Sequence, residues 1–147
     1  MVDDATEEAR GVLAAQPFSR MLGTELLEFG NGRAVLALNI QPDHTQQNGF
    51  AHGGILAYLV DNAISFAAGT VVGLDLLTVG MGVEYLRPAT GSRLIATATV
   101  TGSTRRRAVA SCTITDGERI VAVGQGTAQA VETSPLREVD TARSPQA

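Results

Sequence analysis

The chain has 147 residues, 44% hydrophobic and 18% charged, and its 11 basic and 15 acidic side chains leave a net charge of −4. That is the length of one domain, and a chain of this size buries close to ~70% of its unfolded surface without a disulfide or a metal. The lone Cys112 excludes an intrachain disulfide, the acidic balance argues against a general binder of nucleic acid or anionic membrane, and the absence of lysine excludes Schiff-base and P-loop chemistry.

Residues 3–15 carry Asp3, Asp4, Glu7 and Glu8 ahead of alanine and leucine, which predicts a short helix with acids at its positive end, stopped by Pro17. The same acids are the opposite of a signal peptide's basic start, so a cytoplasmic protein is expected. Residues 24–29 and 33–40 read as the arms of a hairpin turning at Gly30-Asn31-Gly32, with Ala34, Leu36, Leu38 and Ile40 on one face of the second arm. The polar stretch 41–51 (QPDHTQQNGFA) has no periodicity and is a loop. His52-Gly53-Gly54 then leads into a helix over 55–72, apolar nearly all round and therefore enclosed by other structure, with a second copy expected close by.

The apolar run 55–83 is long enough to suggest a membrane span, but Asp61, Asn62 and Asp75 interrupt it and four glycines punctuate its second half. An ionised aspartate near mid-span costs about 2.5–3.5 kcal/mol, so a buried helix followed by a strand is the reading and no membrane is expected. Four strands follow, over 78–86, 92–101, 106–115 and 119–131, with turns at 88–91, 102–105 and Asp116-Gly117. This gives an N-terminal helical segment (1–16), a main domain (17–132) and a polar tail (133–147) expected to be disordered. The predicted class is α+β, an antiparallel sheet wrapped around one central helix.

Few residues are candidates for chemistry. In Gln46-x-x-Gly49-x-x-His52-Gly53-Gly54 the two last glycines stand where loop becomes helix. Helix-start amides lack internal partners and sit at the positive end of the dipole, and glycine lets a substrate oxygen approach, which suits a carbonyl that turns anionic. The same pair also serves simply as a tight entry turn. Asp61 lies mid-helix among apolar neighbours, as a base or nucleophile or as a buried aspartate bonded to a neighbouring turn. Gly53 and Asp61 are eight helical steps apart, roughly 12 Å. They cannot grip one carbonyl from the same chain, so a shared site needs a second subunit with its helix antiparallel.

His52 either bonds local backbone or contacts substrate, and His44 is a loop residue. Asp43 and the two histidines lack a metal-ligand pattern, so no metal is expected. Arg105-Arg106-Arg107 is either a solvated turn guarding a sheet edge or a phosphate holder. Phe50, Tyr58, Met21, Leu22 and Met81 are candidates to line a pocket. No serine sits in a nucleophile elbow and no G-x-G-x-x-G opens a helix.

Residues 17–130 resemble the hot dog fold acyl-CoA thioesterases of the phenylacetate-degradation (PaaI-like) family. The matching pieces are PFSRMLGTELLEFGNGRAVLAL, QQNGFAHGGILAYLVDNAISFAA, GMGVEYLRPATGSRLIATATV and IVAVGQGTAQAV. The resemblance implies a sheet wrapped around the central helix, and subunits joined edge to edge into a homodimer with shared active sites, then into a homotetramer. It implies that the amide of Gly53 or Gly54 polarises a thioester carbonyl and that Asp61 of the facing subunit is nucleophile or base. Gln46 matches a residue orienting the water or thioester, and His52 the histidine before the glycine pair. Thr78, or Val79 if the alignment shifts by one, matches a hydroxyl that assists the water. Arg106 and Arg107 match contacts for coenzyme A phosphates, with coenzyme A part of the substrate and no other cofactor. The implied reaction is hydrolysis of an aryl- or medium-chain acyl-CoA. A hydratase or dehydratase on the same fold pairs its histidine and carboxylate in another loop context, and a non-catalytic acyl-CoA binding module is the reading from outside enzymology.

Overall fold

A computed structural model of the chain describes residues 2–132, so the predicted tail over 133–147 lies outside the described residues. The first helix, α1 (Asp4–Ala14), begins at Asp3, whose side chain accepts from Thr6 N at 2.7 Å. These bonds from Thr6 hold the Asp3 carboxyl below its ordinary range. Pro17 does not end this helix; it opens a second one, α2 (Pro17–Leu22), that the sequence reading missed. Proline is suited to a first helical turn, where its missing N–H has no bond to make. Gly23, with φ 79°, closes α2 after six residues, too short for a periodic signal.

The hairpin forms as expected, β1 (Glu25–Gly30) against β2 (Arg33–Asn39). Its two-residue turn puts Asn31 at φ 52° and Gly32 at φ 75°, the paired positive values that match the twist of the flanking strands. After the loop, α3 (Gly53–Val72) runs for 20 residues, two earlier than the apolar run suggested. Then come β3 (Leu76–Tyr85), β4 (Arg93–Ser103), β5 (Arg107–Asp116) and β6 (Arg119–Ala130). The final hairpin turns on Gly117-Glu118, one residue later than read, because Asp116 pairs with Arg119.

All pairings are antiparallel, in the order β1-β2-β4-β5-β6-β3. The sheet curls around α3. Its inner residues are mostly small: Ala34 on β2, Ala96 and Ala98 on β4, and Ala108, Ala110 and Cys112 on β5 are all buried. Short side chains let the strands approach the helix, whose Leu59, Val60, Ala63, Ile64 and Ala67 are fully buried in return. Among the described residues, the one helix long and apolar enough to cross a bilayer is therefore the enclosed core helix. Helix α1 packs on β1, where Ala9 and Leu13 join Leu26 in the same core, Arg10 Nε donates to the Leu26 carbonyl at 3.1 Å and Thr6 Oγ1 to that of Phe29 at 3.3 Å.

Gly124 marks the closest approach of β6 to its neighbours: a Cβ there would stand 2.5 Å from Val60 Cγ1 and 2.9 Å from the Gly82 carbonyl oxygen. Gly124→Ala is expected to lower stability by about 1–3 kcal/mol in urea melts, because the contact is with both helix and backbone. Burial pushes the Cys112 thiol up to about 12 from its ordinary 9.0. The folded thiol thus keeps a proton that the unfolded one loses. Its contribution is complete below pH 9 and falls away as the pH climbs towards 12. Cys112 is expected to resist thiol reagents at pH 8 in native protein and to react at once in denaturant.

Candidate active site

Tyr58, Asp61, Asn62 and Ser65 stand at spacings of three and four on α3, so they form one polar stripe on an otherwise apolar helix. All four are half-buried. Asp61 Oδ1 accepts from Thr78 Oγ1 at 2.6 Å, and Ser65 Oγ lies 3.1 Å from the same Thr78 oxygen. Thr78 has one hydroxyl hydrogen and gives it to Asp61, so Ser65 is the donor in the second bond. Asp61 Oδ2 has no partner among the described residues.

Thr78 reaches the helix because β3 carries a bulge. Thr78 pairs with Ala128 and Gly80 with Thr127, so Val79 is an extra residue in the ladder. Thr78 and Val83, five positions apart, both face the helix side, while Val79 points outward with 57% exposure. Bulges re-aim side chains in this way beside functional sites. Of the two positions that the sequence left open, Thr78 is the one that meets Asp61. Ser65 was missed, although its spacing of four from Asp61 on a helix was a legible signal.

The start of α3 is built differently from the expectation of two available amides. His52 is the N-cap residue, and its Nδ1 accepts from Gly54 N at 2.8 Å. Ile55 N donates to the His52 carbonyl at 2.9 Å. Of these first amides only that of Gly53 is without an acceptor among the described residues. Tyr85 Oη donates to the Gly53 carbonyl at 2.9 Å and ties the helix start to the end of β3. Gln46 is half-buried in the preceding loop, its Oε1 accepting from Asn48 N at 2.5 Å, and its Nε2 is left over. His44 is structural: its Nδ1 accepts from Gln41 N at 3.0 Å and it is buried.

The helix start and the Thr78–Ser65 pair open into different cavities, and Asp61 itself lines neither. One of about 340 Å³ is lined by Gln46, Phe50, Gly53 and Tyr85, and another of about 270 Å³ by Gln16, Asn62, Ser65 and Thr78. The separation agrees with the ~12 Å helical rise between Gly53 and Asp61. The apolar wall of the Thr78 cavity is made by Val12, Phe66, Leu74, Leu76 and Leu77. It does not include Tyr58, Met21, Leu22 or Met81, which the sequence had suggested; Phe50 lines the cavity at Gly53. Arg106 and Arg107 are exposed at the β4–β5 turn, where Arg107 donates to Gln129 Oε1 and Arg106 to the Ala130 carbonyl, and neither lines these cavities. No group of three or more His, Cys, Asp or Glu among the described residues is placed to hold a metal ion.

Comparison with known proteins gives this geometry a context. The sequence pattern of the thioesterase superfamily matches residues 48–123. Human acyl-coenzyme A thioesterase 13 is 29% identical over 129 residues, covering 86% of this chain and 92% of that protein. The medium/long-chain acyl-CoA thioesterase YigI of Salmonella typhimurium is 33% identical over 115 residues, 64% of this chain and 72% of its own. A variant of the phenylacetic acid degradation protein PaaI from Thermus thermophilus superposes with a TM-score of 0.73 at 30% identity, covering 79% of this chain and 100% of that one.

The cap at the start of α3 is open to a direct check. His52→Ala is expected to cost about 1 kcal/mol in urea melts by leaving the Gly54 amide without its acceptor. His52→Asn, which keeps an acceptor at the cap, is expected to recover most of that loss; equal stability in all three proteins would remove the cap's role.

Proposed function

The chain belongs to the thioesterase superfamily, and from that premise we propose that it hydrolyses an aryl- or medium-chain acyl-CoA to the free acid and coenzyme A at sites shared between two subunits. The observation that carries this reading is the half-buried carboxylate of Asp61, held at 2.6 Å by Thr78, a residue that itself lines the 270 Å³ cavity, with one carboxylate oxygen left over. In the proposed reaction the thioester carbonyl oxygen accepts from the Gly53 amide of one subunit, at the positive end of α3. Asp61 of the other subunit takes a proton from water through Oδ2 as the water attacks. The new C–O bond forms, the C–S bond breaks and coenzyme A leaves as the thiolate. The amide of Gln46 orients the water or the thioester, and His52 and Tyr85 hold the helix start in place. Coenzyme A enters as part of the substrate, and no step calls on a metal or a redox group.

The unequal edges of the sheet support the pairing of subunits. The β1 edge is covered by side chains of α1, whereas among the described strands β3 pairs only with β6 and presents exposed Leu77, Val79 and Met81. An uncovered apolar edge strand is a template for another strand. Two copies joined along β3 would run their α3 helices antiparallel and bring Gly53 of one towards Asp61 of the other. We extend the reading to a homotetramer of two such dimers, to a cytoplasmic setting, and to Arg106 and Arg107 as contacts for coenzyme A phosphates, since exposed guanidiniums at a turn suit that role.

Complementation tests the shared site. Asp61→Asn is expected to lower kcat by about 10²–10⁴-fold on acyl-CoA panels read by free thiol. Gly53→Pro removes the amide hydrogen at a helix position that tolerates proline, and is expected to be similarly impaired. Co-expressed, the two variants form heterodimers with one intact site, and about a quarter of native activity should return. No recovery from well-folded heterodimers would overturn the shared site, and no turnover of any thioester by native protein would overturn the hydrolase.

A further inference from the structure

Helices α1 and α2 and the first residues of β1 enclose a cavity of about 370 Å³ that plays no part in the proposed hydrolysis. Val12 and Gln16 border the Thr78 cavity, whereas Arg10, Leu13 and Ala14 face this one. Leu13 and Leu26, both buried, give it an apolar wall. Ser19 also lines it, 2% exposed. Its Oγ donates to Gln16 Oε1 at 2.5 Å and lies 2.7 Å from Tyr58 Oη, which pins the junction of the two helices to α3.

Two guanidiniums share this cavity, Arg10 and Arg20, and each is anchored with donors to spare. Arg10 Nε donates to the Leu26 carbonyl at 3.1 Å and its Nη1 to Glu7 Oε1 at 2.8 Å, while its Nη2 has no partner among the described residues. Arg20 Nη1 donates at 2.9 Å to the Ala14 carbonyl, one of those left over where α1 ends. Its Nε and Nη2 have no partner among the described residues. Those two nitrogens form the edge of a guanidinium that offers two parallel N–H bonds. Glu25, the carboxylate on the wall, accepts from Arg93 Nη2 at 3.0 Å. Arg20 thus has no ion pair among the described residues, and the cavity keeps an excess of positive charge.

We propose that Arg10 and Arg20 form a site for a small oxyanion, a carboxylate or a phosphate, separate from the cavities at Gly53 and Thr78. The free edge of Arg20 holds two oxygens side by side, and Arg10 Nη2 supplies a further donor. Two sources share this chemistry, an organic acid and inorganic phosphate. Leu13, Ala14 and Leu26 offer contact to the hydrocarbon stem of the first and none to the second. An anion held here joins α1 to α2 at the junction that carries Gln16.

The test is a titration of the native protein with sodium hexanoate and, separately, with sodium phosphate at constant ionic strength. The side-chain Nε–H resonances of Arg10 and Arg20 are the readout. Both are expected to shift together, with one Kd, for at least one probe. Tighter hexanoate assigns a carboxylate on an apolar stem, and tighter phosphate assigns the inorganic ion. Arg20 is exposed, so its replacement spares the core. Arg20→Gln is expected to weaken that Kd by about tenfold or more, as loss of charge-assisted bonds does. Arg33→Gln, which removes a guanidinium paired with Glu28 outside this cavity, is expected to leave it unchanged. No saturable shift with either probe, or equal Kd values for native and Arg20→Gln protein, overturns the site. The measurement involves no turnover, so its failure and that of the hydrolase reading are told apart.

Discussion

The structure depends on enclosing α3. A twenty-residue helix that is apolar on nearly every side has no stable place at the surface, since each large side chain such as Leu59 or Ile64 left in water forfeits about 1.5–3 kcal/mol. One flat sheet covers one side of a helix; a curled one covers most of its circumference. The curl is possible because the strands turn alanines inward, at Ala34, Ala96, Ala98 and Ala110, and because Gly124 lets β6 pass beside Val60. Helix hydrophobicity and strand residue size are two halves of one steric agreement.

Enclosure creates a second demand. The stripe of Tyr58, Asp61, Asn62 and Ser65 is carried into a half-buried setting, where an unpartnered polar group costs about 1–3 kcal/mol. Two separate parts of the chain meet that demand. The bulged β3 brings Thr78 to Asp61 and Ser65, and the α1–α2 region brings Gln16, Ser19 and Thr24 to Tyr58 and Asn62. The N-terminal helices are therefore positioned by polar bonding to the core helix as well as by the packing of Ala9 and Leu13.

The legible parts of the sequence were those with a long period or a strong turn signal. The run after His52, the Asn31-Gly32 hairpin and the alternation Ala108, Ala110, Cys112, Ile114 each announce their element, and the central block around HGG and Asp61 carried the family resemblance that the comparisons support. What escaped depends on single residues. Helix α2 is too short for periodicity, and Pro17 starts a helix as readily as it stops one. The bulge at Val79 adds one residue to a strand without changing its composition, which is why Thr78 and Val79 were hard to choose between. The occupied amide of Gly54 follows from the rotamer of His52, and the networks of Tyr58 and Ser65 follow from tertiary neighbours that spacing along one helix cannot name.

The contrast between the two sheet margins bears on how far association runs. A sheet with two bare margins can add copies without end, as a filament does. Here α1 lies against β1, and its Thr6 and Arg10 side chains meet the carbonyls of Phe29 and Leu26, while among the described residues no strand lies beyond β3. A β3-to-β3 union of the kind proposed would consume both such margins and leave none for further growth. The helix whose Val12 borders the cavity is thus also the cap that closes the opposite margin of the sheet to further strands.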